Sequence, residues 1–273
     1  MICSSIMLTS VSKSLISKQI RKCHSVFGYK DILFQEKQSE RFSIMPVTSN
    51  QHELAVELMK QYCLREHVIV KARKMDLTAD KALDEYLIGI LKQGNTLLAK
   101  TEDDKTAGIC VGFASAPVDS RNLRTYAFYR QDPNTKDFLN FTAKMQETPN
   151  LWEVFKQQKI FEIKMLAVLP DFRRQGLAVT MVEKARETAF DQGFKVIRMD
   201  CLNSYDYKIA ERNMMQCIVK FPLHKLRGPH APFVKRSSKY NCLVRVYVDA
   251  KTDDRPDRIA RKQRQVELES LIE

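Results

Sequence analysis

Apolar residues along the chain repeat with the period of a helix in some segments and with that of a strand in others. The pattern predicts a strand at 41–47, a helix at 53–63, and a second helix that begins after Thr78 and stops near Gly94. Two strands follow at 95–100 and 108–116, joined by a charged turn at 102–105. The polar region 119–135 is predicted to be a loop.

The second half of the chain has the stronger pattern. A helical segment at 136–157 with a break at Pro149 precedes the nearly continuous apolar run 160–169, which is typical of a central strand covered on both faces. A helix at 176–190, a strand at 195–202, a helix at 205–215 and a last strand at 242–248 follow. This order predicts one mixed α/β domain with a three-layer core at 41–250, between a leader at 1–40 and a charged tail at 251–273.

Composition narrows the class of protein. With 273 residues, 44% of them hydrophobic, and a mean hydropathy of −0.36, the chain is neither disordered nor collagen-like. No stretch approaches the roughly 20 apolar residues of a membrane-spanning helix, so we expect a soluble protein. The seven cysteines are odd in number and form no CxxC pair, which indicates reduced thiols in an intracellular protein.

The net charge of +12 is concentrated in two acid-free regions. Residues 1–30 contain five basic residues and are rich in serine, which fits a disordered extension or a mitochondrial transit segment. We therefore expect a cytoplasmic protein and leave a mitochondrial one open. The stretch 212–248 contains eight basic residues and is either an anion site or a solvated surface. The rest is close to neutral and lacks a nucleic-acid-reading motif, so we expect no nucleic-acid partner.

One strand–turn–helix segment has the pattern of a phosphate site. After the strand ending at Leu169, a turn opens the long helix with Arg173, Arg174, Gln175, Gly176, Leu177 and Ala178. The first amides of a helix bind phosphate oxygens, Gly176 lets the backbone approach a pyrophosphate, and the two arginines add charged donors. An ordinary β–α turn with basic residues on its solvent side is the alternative.

In this setting, Arg173, Gly176 and Ala178 match the acetyl-CoA signature [Gln/Arg]-x-x-Gly-x-[Gly/Ala], and residues 41–248 resemble the GCN5-related N-acetyltransferase (GNAT) superfamily. The resemblance implies a mixed, mostly antiparallel sheet flanked by helices, with splayed central strands. It implies that Leu166, Ala167 and Val168 expose backbone groups to the pantetheine arm and the thioester oxygen of acetyl-CoA. The turn at 173–178 would hold the pyrophosphate, and the basic 212–248 stretch could support the 3′-phosphate.

Within the superfamily, the segments 59–66 and 166–173 are most similar to invertebrate arylalkylamine N-acetyltransferases, the dopamine acetyltransferase group. Glu66 stands where those relatives have the general base, followed here by His67 instead of proline. A carboxylate partly desolvated by the Tyr62 and Val68 neighbourhood would have a raised pKa. His67 is a second candidate base, because an unperturbed imidazole titrates near pH 6.5.

The acid that would protonate the departing thiolate is harder to assign. Relatives have serines near Leu202 and Asp206 and close the next helix with Leu-Gly-Phe, whereas this chain has Asn213-Met214-Met215 there. Tyr207 and Ser204 are the candidate proton donors, with Tyr205 beside them, and the tyrosines fit core packing equally well. Cys201 is interpreted as inert packing in a strand. The five histidines have no metal-ligand spacing, so we expect no metal.

The resulting hypothesis is a monomeric enzyme that transfers acetyl from acetyl-CoA to a small primary amine by direct attack. The amine would be an arylalkylamine, such as dopamine, tyramine, octopamine or serotonin, or a polyamine-like compound, with the oxyanion held by backbone amides at 166–168. Two alternatives remain open. One is an acyltransferase for amino acids or protein lysine; the other is a degenerate acyl-CoA-binding protein that keeps the fold without turnover.

Overall fold

The sheet at the centre of the fold is described by a computed structural model that covers residues 41–78, 81–229 and 231–251. The predicted leader, and the predicted tail beyond residue 251, lie outside these residues. The strands run in the spatial order β1-β2-β3-β4-β5-β7-β6, and every neighbouring pair is antiparallel except β4 and β5. Their bounds are β1 (Phe42–Pro46), β2 (Leu97–Thr101), β3 (Thr106–Ser115), β4 (Ile160–Val168), β5 (Val196–Cys201), β6 (Gln216–Pro222) and β7 (Leu243–Ala250).

Helices cover both faces of this sheet. Their bounds are α1 (His52–Leu58), α2 (Val68–Arg73), α3 (Lys81–Leu91), α4 (Pro117–Phe128), α5 (Pro133–Glu147), α6 (Leu151–Val154), α7 (Leu177–Asp191) and α8 (Ser204–Arg212). The helix α1 continues into a π-helical turn, Met59–Leu64. Among the described residues, no helix is both long and apolar enough to cross a membrane.

Alternation along the strands sorts the core into two clusters, one on each face of the sheet. Ile109 and Val111 of β3 pack with α1, α3 and α5, whereas Cys110 between them packs with α7. In β7, Tyr247 packs on the α7 side while Val246 packs on the opposite side. Side chains one residue apart on a strand point to opposite faces, so this sorting produces the predicted three-layer core.

Four segments differ from the sequence expectation. The predicted loop at 119–135 is wrong, because α4 occupies 117–128 and α5 begins at Pro133. Both helices are mostly polar and begin with local caps: Asp119 accepts a hydrogen bond from the Ala116 amide, and Asp132 accepts one from the Thr135 amide. The short helix α2 and the strand β6 were not expected, and α8 ends at Arg212 rather than near residue 215.

The central strands separate along their length. The parallel ladder between β4 and β5 joins only Phe161–Ile163 to Ile197–Met199, although both strands continue beyond it. On its other side, β4 stays paired with β3 as far as Val168. The pairing is irregular at Lys164, since Val111 pairs with Met165 and Gly112 with Ile163. The prediction of a mixed, mostly antiparallel sheet with splayed central strands is confirmed.

Candidate active site

A cavity of about 230 Å³ lies where β4 and β5 separate. Its walls come from the π-helical turn, α3, α5, both strands and the start of α8, and they include four aromatic side chains. The aromatic residues are Tyr62, Tyr86, Phe138 and Phe141, together with the imidazole of His67. The arrangement suits a small ligand with a flat apolar body.

One end of the cavity contains a buried ion pair on β4. The sequence analysis did not predict this pair, because it treated 160–169 as a nearly continuous apolar strand. Glu162 and Lys164 share one face of the strand, and their side chains approach to 2.7 Å. Ser115 Oγ donates to Glu162 Oε1 at 2.7 Å, and Gln146 Nε2 donates to Oε2 at 3.2 Å. Burial opposes ionisation, but Lys164 and Arg198 hold the pKa of Glu162 below its ordinary value, so the carboxylate stays charged.

Arg198 fixes the end of α5 against β5. Its guanidinium is buried and donates to the carbonyl oxygens of residues 145, 146, 148 and 149, at 2.5–3.0 Å, and to Asp200 Oδ1 at 2.8 Å. These carbonyls end a helix, where a cation is favoured by the helix dipole. Arg198 therefore holds the α5 wall of the cavity in place. The charged residues are two positions apart on each strand, at 162 and 164 on β4 and at 198 and 200 on β5. Because residues two apart in a strand point to the same face of the sheet, this spacing is the sequence signal for the charged cluster.

Glu66, the candidate general base, lies at the edge of the cavity between the π-helical turn and α2. Its side chain is 66% exposed and forms an ion pair with Lys71. The expected partial desolvation of Glu66 is therefore wrong, because the carboxylate stands at the mouth rather than inside. Whether Glu66 acts as the base stays a prediction.

His67, the second candidate base, has a structural task. Its Nδ1 accepts a hydrogen bond from the Ile69 amide at 3.3 Å and so caps α2. The ring also packs edge-on against Phe138 and Phe141, at centroid distances of 5.4 and 5.5 Å. Burial lowers the pKa of His67 to about 4, so the imidazole is neutral near pH 7.

Asp206 is a cavity residue that the sequence analysis did not select. It lies in the first turn of α8, where Asn203 Nδ2 donates to its Oδ2 at 2.5 Å. Burial raises the pKa of Asp206 to about 6, against the weaker opposing effect of the Asn203 hydrogen bond. The sequence signal that could have identified Asp206 is a carboxylate near the position where relatives have a serine.

The two predicted proton donors lie away from the cavity walls. Tyr207 donates its hydroxyl hydrogen to the Leu243 carbonyl, and the Arg245 guanidinium lies 4.2 Å from its ring centroid. Burial is the main cause that raises the pKa of Tyr207 to about 12. Ser204 is exposed at the first position of α8, and neither residue lines the cavity. Their assignment as proton donors gains no geometric support and is untested.

Cysteine chemistry at this site is also unsupported. Cys201 is fully buried on β5, and burial raises the pKa of its thiol, so it stays protonated. The five cysteines in the described part of the chain are all free thiols. Within the same residues, no group of three His, Cys, Asp or Glu side chains could hold a metal ion.

The predicted phosphate turn joins the splayed end of β4 to α7. Gly176 is the N-cap of α7 with φ +82°, and Arg174 also has a positive φ of 66°. A Cβ on Gly176 would meet nothing within 4 Å, so glycine is needed for the backbone angle and the space beside it is open. Arg173 Nε donates to the Val168 carbonyl at 3.0 Å, which ties the turn to the strand.

The remaining predicted cosubstrate residues fall around this opening. Leu166, Ala167 and Val168 pair with β3 on one side only, because the ladder to β5 has already ended. Leu177 is buried in the core, and Ala178 begins the α7 surface beside it. This opening combines the N-terminus of α7 and the open space beside Gly176 with the free edge of β4. The first two fit the pyrophosphate of a CoA thioester, and the strand edge fits its pantetheine arm.

A sheet that splits beside a helix N-terminus, with an aromatic cavity at the split, defines the class of a CoA-dependent acyltransferase fold. The sequence profile of the acetyltransferase (GNAT) family matches residues 72–210, just over half of the chain. The chain therefore belongs to the GNAT family, whose members use acetyl-CoA as a cosubstrate.

Solved structures of insect acetyltransferases have a similar fold. Arylalkylamine N-acetyltransferase-like 5b of a mosquito gives a TM-score of 0.70 at 17% identity, covering 77% of this chain and 100% of that one. Arylalkylamine N-acetyltransferase 2 of Aedes aegypti gives 0.67 at 19% identity, covering 78% and 100%. The polyamine N-acetyltransferase of Drosophila melanogaster, which forms N-acetylagmatine, gives 0.68 at 15% identity, covering 77% and 100%.

Sequence similarity to a curated relative is local. An uncharacterised N-acetyltransferase of Archaeoglobus fulgidus is 38% identical over 50 residues, which are 18% of this chain and 34% of the relative. The chain thus spans about a third of the length of that relative. At identities of 15–19% the solved structures support the fold alone.

Proposed function

We propose that this protein is an acetyl-CoA-dependent N-acetyltransferase whose acceptor is a small primary amine of the arylalkylamine class. The observation that carries the proposal is the cavity at the strand split, which combines four aromatic side chains with four carboxylates. Two of these, Glu162 and Asp200, pair with Lys164 and Arg198, which leaves Glu66 and Asp206 for the amine. Aromatic walls favour a ring, and carboxylates attract and deprotonate an ammonium group. We further expect a monomer in the cytoplasm.

Binding of the cosubstrate is assigned to two adjoining segments. The turn at 173–178 would receive the pyrophosphate through the first amides of α7 and the Arg174 side chain. Arg173 would contribute its remaining guanidinium donors while its Nε keeps the turn attached to Val168. The free edge of Leu166–Val168 would orient the pantetheine arm and place backbone amides near the thioester oxygen.

Two carboxylates divide the proton transfers in this proposal. Glu66, exposed at the mouth, takes a proton from the incoming ammonium and passes it to solvent. Asp206, inside the cavity, takes the second proton from the attacking nitrogen as the carbon–nitrogen bond forms. It then gives that proton to the sulfur as the carbon–sulfur bond breaks. A pKa of about 6 suits this exchange, since Asp206 is mostly ionised at pH 7 yet can hold a proton briefly.

A coupled assay tests the proposal. Free-CoA release is measured with acetyl-CoA and a panel of aromatic amines, agmatine, polyamines, amino acids and a lysine peptide. The proteins compared are the wild type, Glu66→Ala and the matched surface variant Glu57→Ala. Glu57 is exposed on α1 and does not line the cavity. We expect turnover with aromatic amines that falls by about 100-fold in Glu66→Ala, since general bases contribute that much, and stays unchanged in Glu57→Ala.

Other outcomes would overturn the proposal in different ways. Preference for agmatine or a polyamine would replace the acceptor class, as would turnover only with a lysine peptide or an amino acid. Binding of acetyl-CoA without turnover of any amine would favour a degenerate acyl-CoA-binding protein. An unchanged rate in Glu66→Ala would remove Glu66 from the mechanism while leaving the activity itself in place.

A further inference from the structure

A buried hydrogen-bond acceptor in the cavity wall has no donor. Gln146 on α5 is 4% exposed, and its Nε2 donates to Glu162 Oε2. Among the described residues, no group donates a hydrogen bond to Gln146 Oε1. The orientation of the amide follows from chemistry, because a carboxylate only accepts and so requires the NH₂ group to face it. The carbonyl oxygen is therefore the atom left unsatisfied, which is costly for a buried group.

The charges around Gln146 are already compensated. Glu162 accepts hydrogen bonds from Ser115, Gln146 and Lys164, and Asp200 is paired with Arg198. No carboxylate is left over at this end to pair with a second ammonium group, and two cations stand nearby. A neutral donor such as a hydroxyl group therefore fits the free oxygen better than the distal nitrogen of a diamine.

Position along β4 places this oxygen at the far end of the cavity from the proposed chemistry. Leu166 lies at the open strand edge, and Glu162, the partner of Gln146, lies four residues back, a distance of about 13 Å along the strand. Aromatic side chains of Tyr86, Phe138 and Phe141 line the same cavity. An arylalkylamine whose nitrogen meets the thioester near Leu166 would direct its ring towards Gln146.

Gln146 also lies between two cavities. A second cavity of about 260 Å³ lies between α3, α4 and β3, and Tyr86, Gln146 and Lys164 line both cavities. Apolar side chains of the second cavity include Ile90, Phe113 and Leu123. These shared residues form a partition between the two cavities, and Gln146 belongs to it.

We propose that Gln146 is a specificity-determining residue that accepts a hydrogen bond from a ring hydroxyl of the amine. The proposal rests on the function proposed above and narrows the acceptor to phenolic arylalkylamines. Tyramine and phenethylamine form a matched pair of probes, since they differ by one hydroxyl group. A site built to bind a hydroxyl group discriminates against the analogue that lacks it, because the buried acceptor then stays unpaired.

The experiment compares kcat/KM for the two amines on each protein, so that a general loss of activity cancels in the ratio. For the wild type we expect tyramine to be preferred by about 10-fold or more, in line with the cost of an unpaired buried acceptor. In Gln146→Leu and in Gln146→Met the preference should fall to about 3-fold or less, mainly through a loss with tyramine. Ser115→Ala is the matched control, because it removes another donor to Glu162 and does not line the cavity.

Contrary outcomes are distinct from failure of the proposed function. Equal use of both amines by the wild type, or an unchanged preference in both Gln146 variants, would overturn the role of Gln146 while leaving acetyl transfer intact. Loss of the preference in Ser115→Ala would assign it to Glu162 instead. If no amine is turned over, calorimetric binding of the two amines in the presence of CoA gives the same ratio. Equal affinity, or no binding of either amine, then overturns the proposal.

Discussion

Replacing Asp206 by asparagine should stabilise the protein at high pH. Burial holds the pKa of Asp206 at about 6 in the folded state, against an ordinary value of 3.8. The folded state thus binds this proton more tightly than the unfolded state does. The stabilisation from the protonated form is complete below pH 3.8 and is lost as the pH rises through 6. Asparagine has the shape of the protonated form and can still accept the hydrogen bond from Asn203.

The difference between the two pKa values corresponds to about 3 kcal/mol in the free energy of unfolding at pH 8. Part of the side chain is reached by solvent, and a carboxylate in the first turn of α8 is favoured by the helix dipole, so we expect a gain nearer 2 kcal/mol. The thiols of Cys63 and Cys201 interact with this carboxyl. Burial raises the pKa of both thiols, so they stay protonated through this range.

Urea denaturation of the wild type and Asp206→Asn at pH 4, 6 and 8 measures this gain. The gain in stability should be nearly complete at pH 8, somewhat smaller at pH 6, and reduced to about 0.5 kcal/mol at pH 4. Asp103→Asn is the control, since that side chain is 81% exposed and should show no such trend. A variant that is equally stable or less stable at pH 8 would refute the reasoning. Asp206→Asn should also lower kcat/KM by about 100-fold. The pH profile of kcat/KM should lose its fall on the acidic side, near pH 6.

Two backbone positions give further tests. Gly176→Ala forces a φ of +82° on alanine and should cost about 1 kcal/mol in unfolding free energy while weakening CoA binding in a fluorescence titration. Gly193 has φ +87° beyond the other end of α7, so Gly193→Ala should lower the unfolding free energy by the same amount and leave CoA binding unchanged. If Gly176→Ala and Gly193→Ala bound CoA equally well, the phosphate site at 173–178 would be contradicted. Met214→Gly should raise the unfolding free energy by about 1 kcal/mol in urea, because this exposed residue has φ +58°; a loss would contradict the assigned strain.

The fold was predictable where one periodicity dominated. The helix at 176–190 and the strands around it follow from apolar spacing, and the splayed arrangement followed from the resemblance carried by Arg173, Gly176 and Ala178. The polar helix α4 and the first turn of α5 were missed because these beginnings depend on caps, at Asp119 and Asp132, rather than on an apolar stripe. Propensity and composition alone do not separate a capped polar helix from a loop.

The site was predictable in part. The position of the phosphate turn follows from a local motif, whereas the cavity residues come from five separate segments and meet only in the folded chain. Spacing could not reveal that Glu66 stands in solvent while Asp206 is half-buried in the cavity wall, because each lies near one end of a predicted helix. The unpaired oxygen of Gln146 depends on the Glu162 network, which sequence alone does not show.

The most direct test of the central claim is to identify the product by mass spectrometry after incubation with acetyl-CoA and tyramine. We expect one N-acetyltyramine for each CoA released, with no product when the amine is omitted. The central claim would be contradicted if the protein bound CoA yet formed no acetylated amine from tyramine or from any other member of the panel.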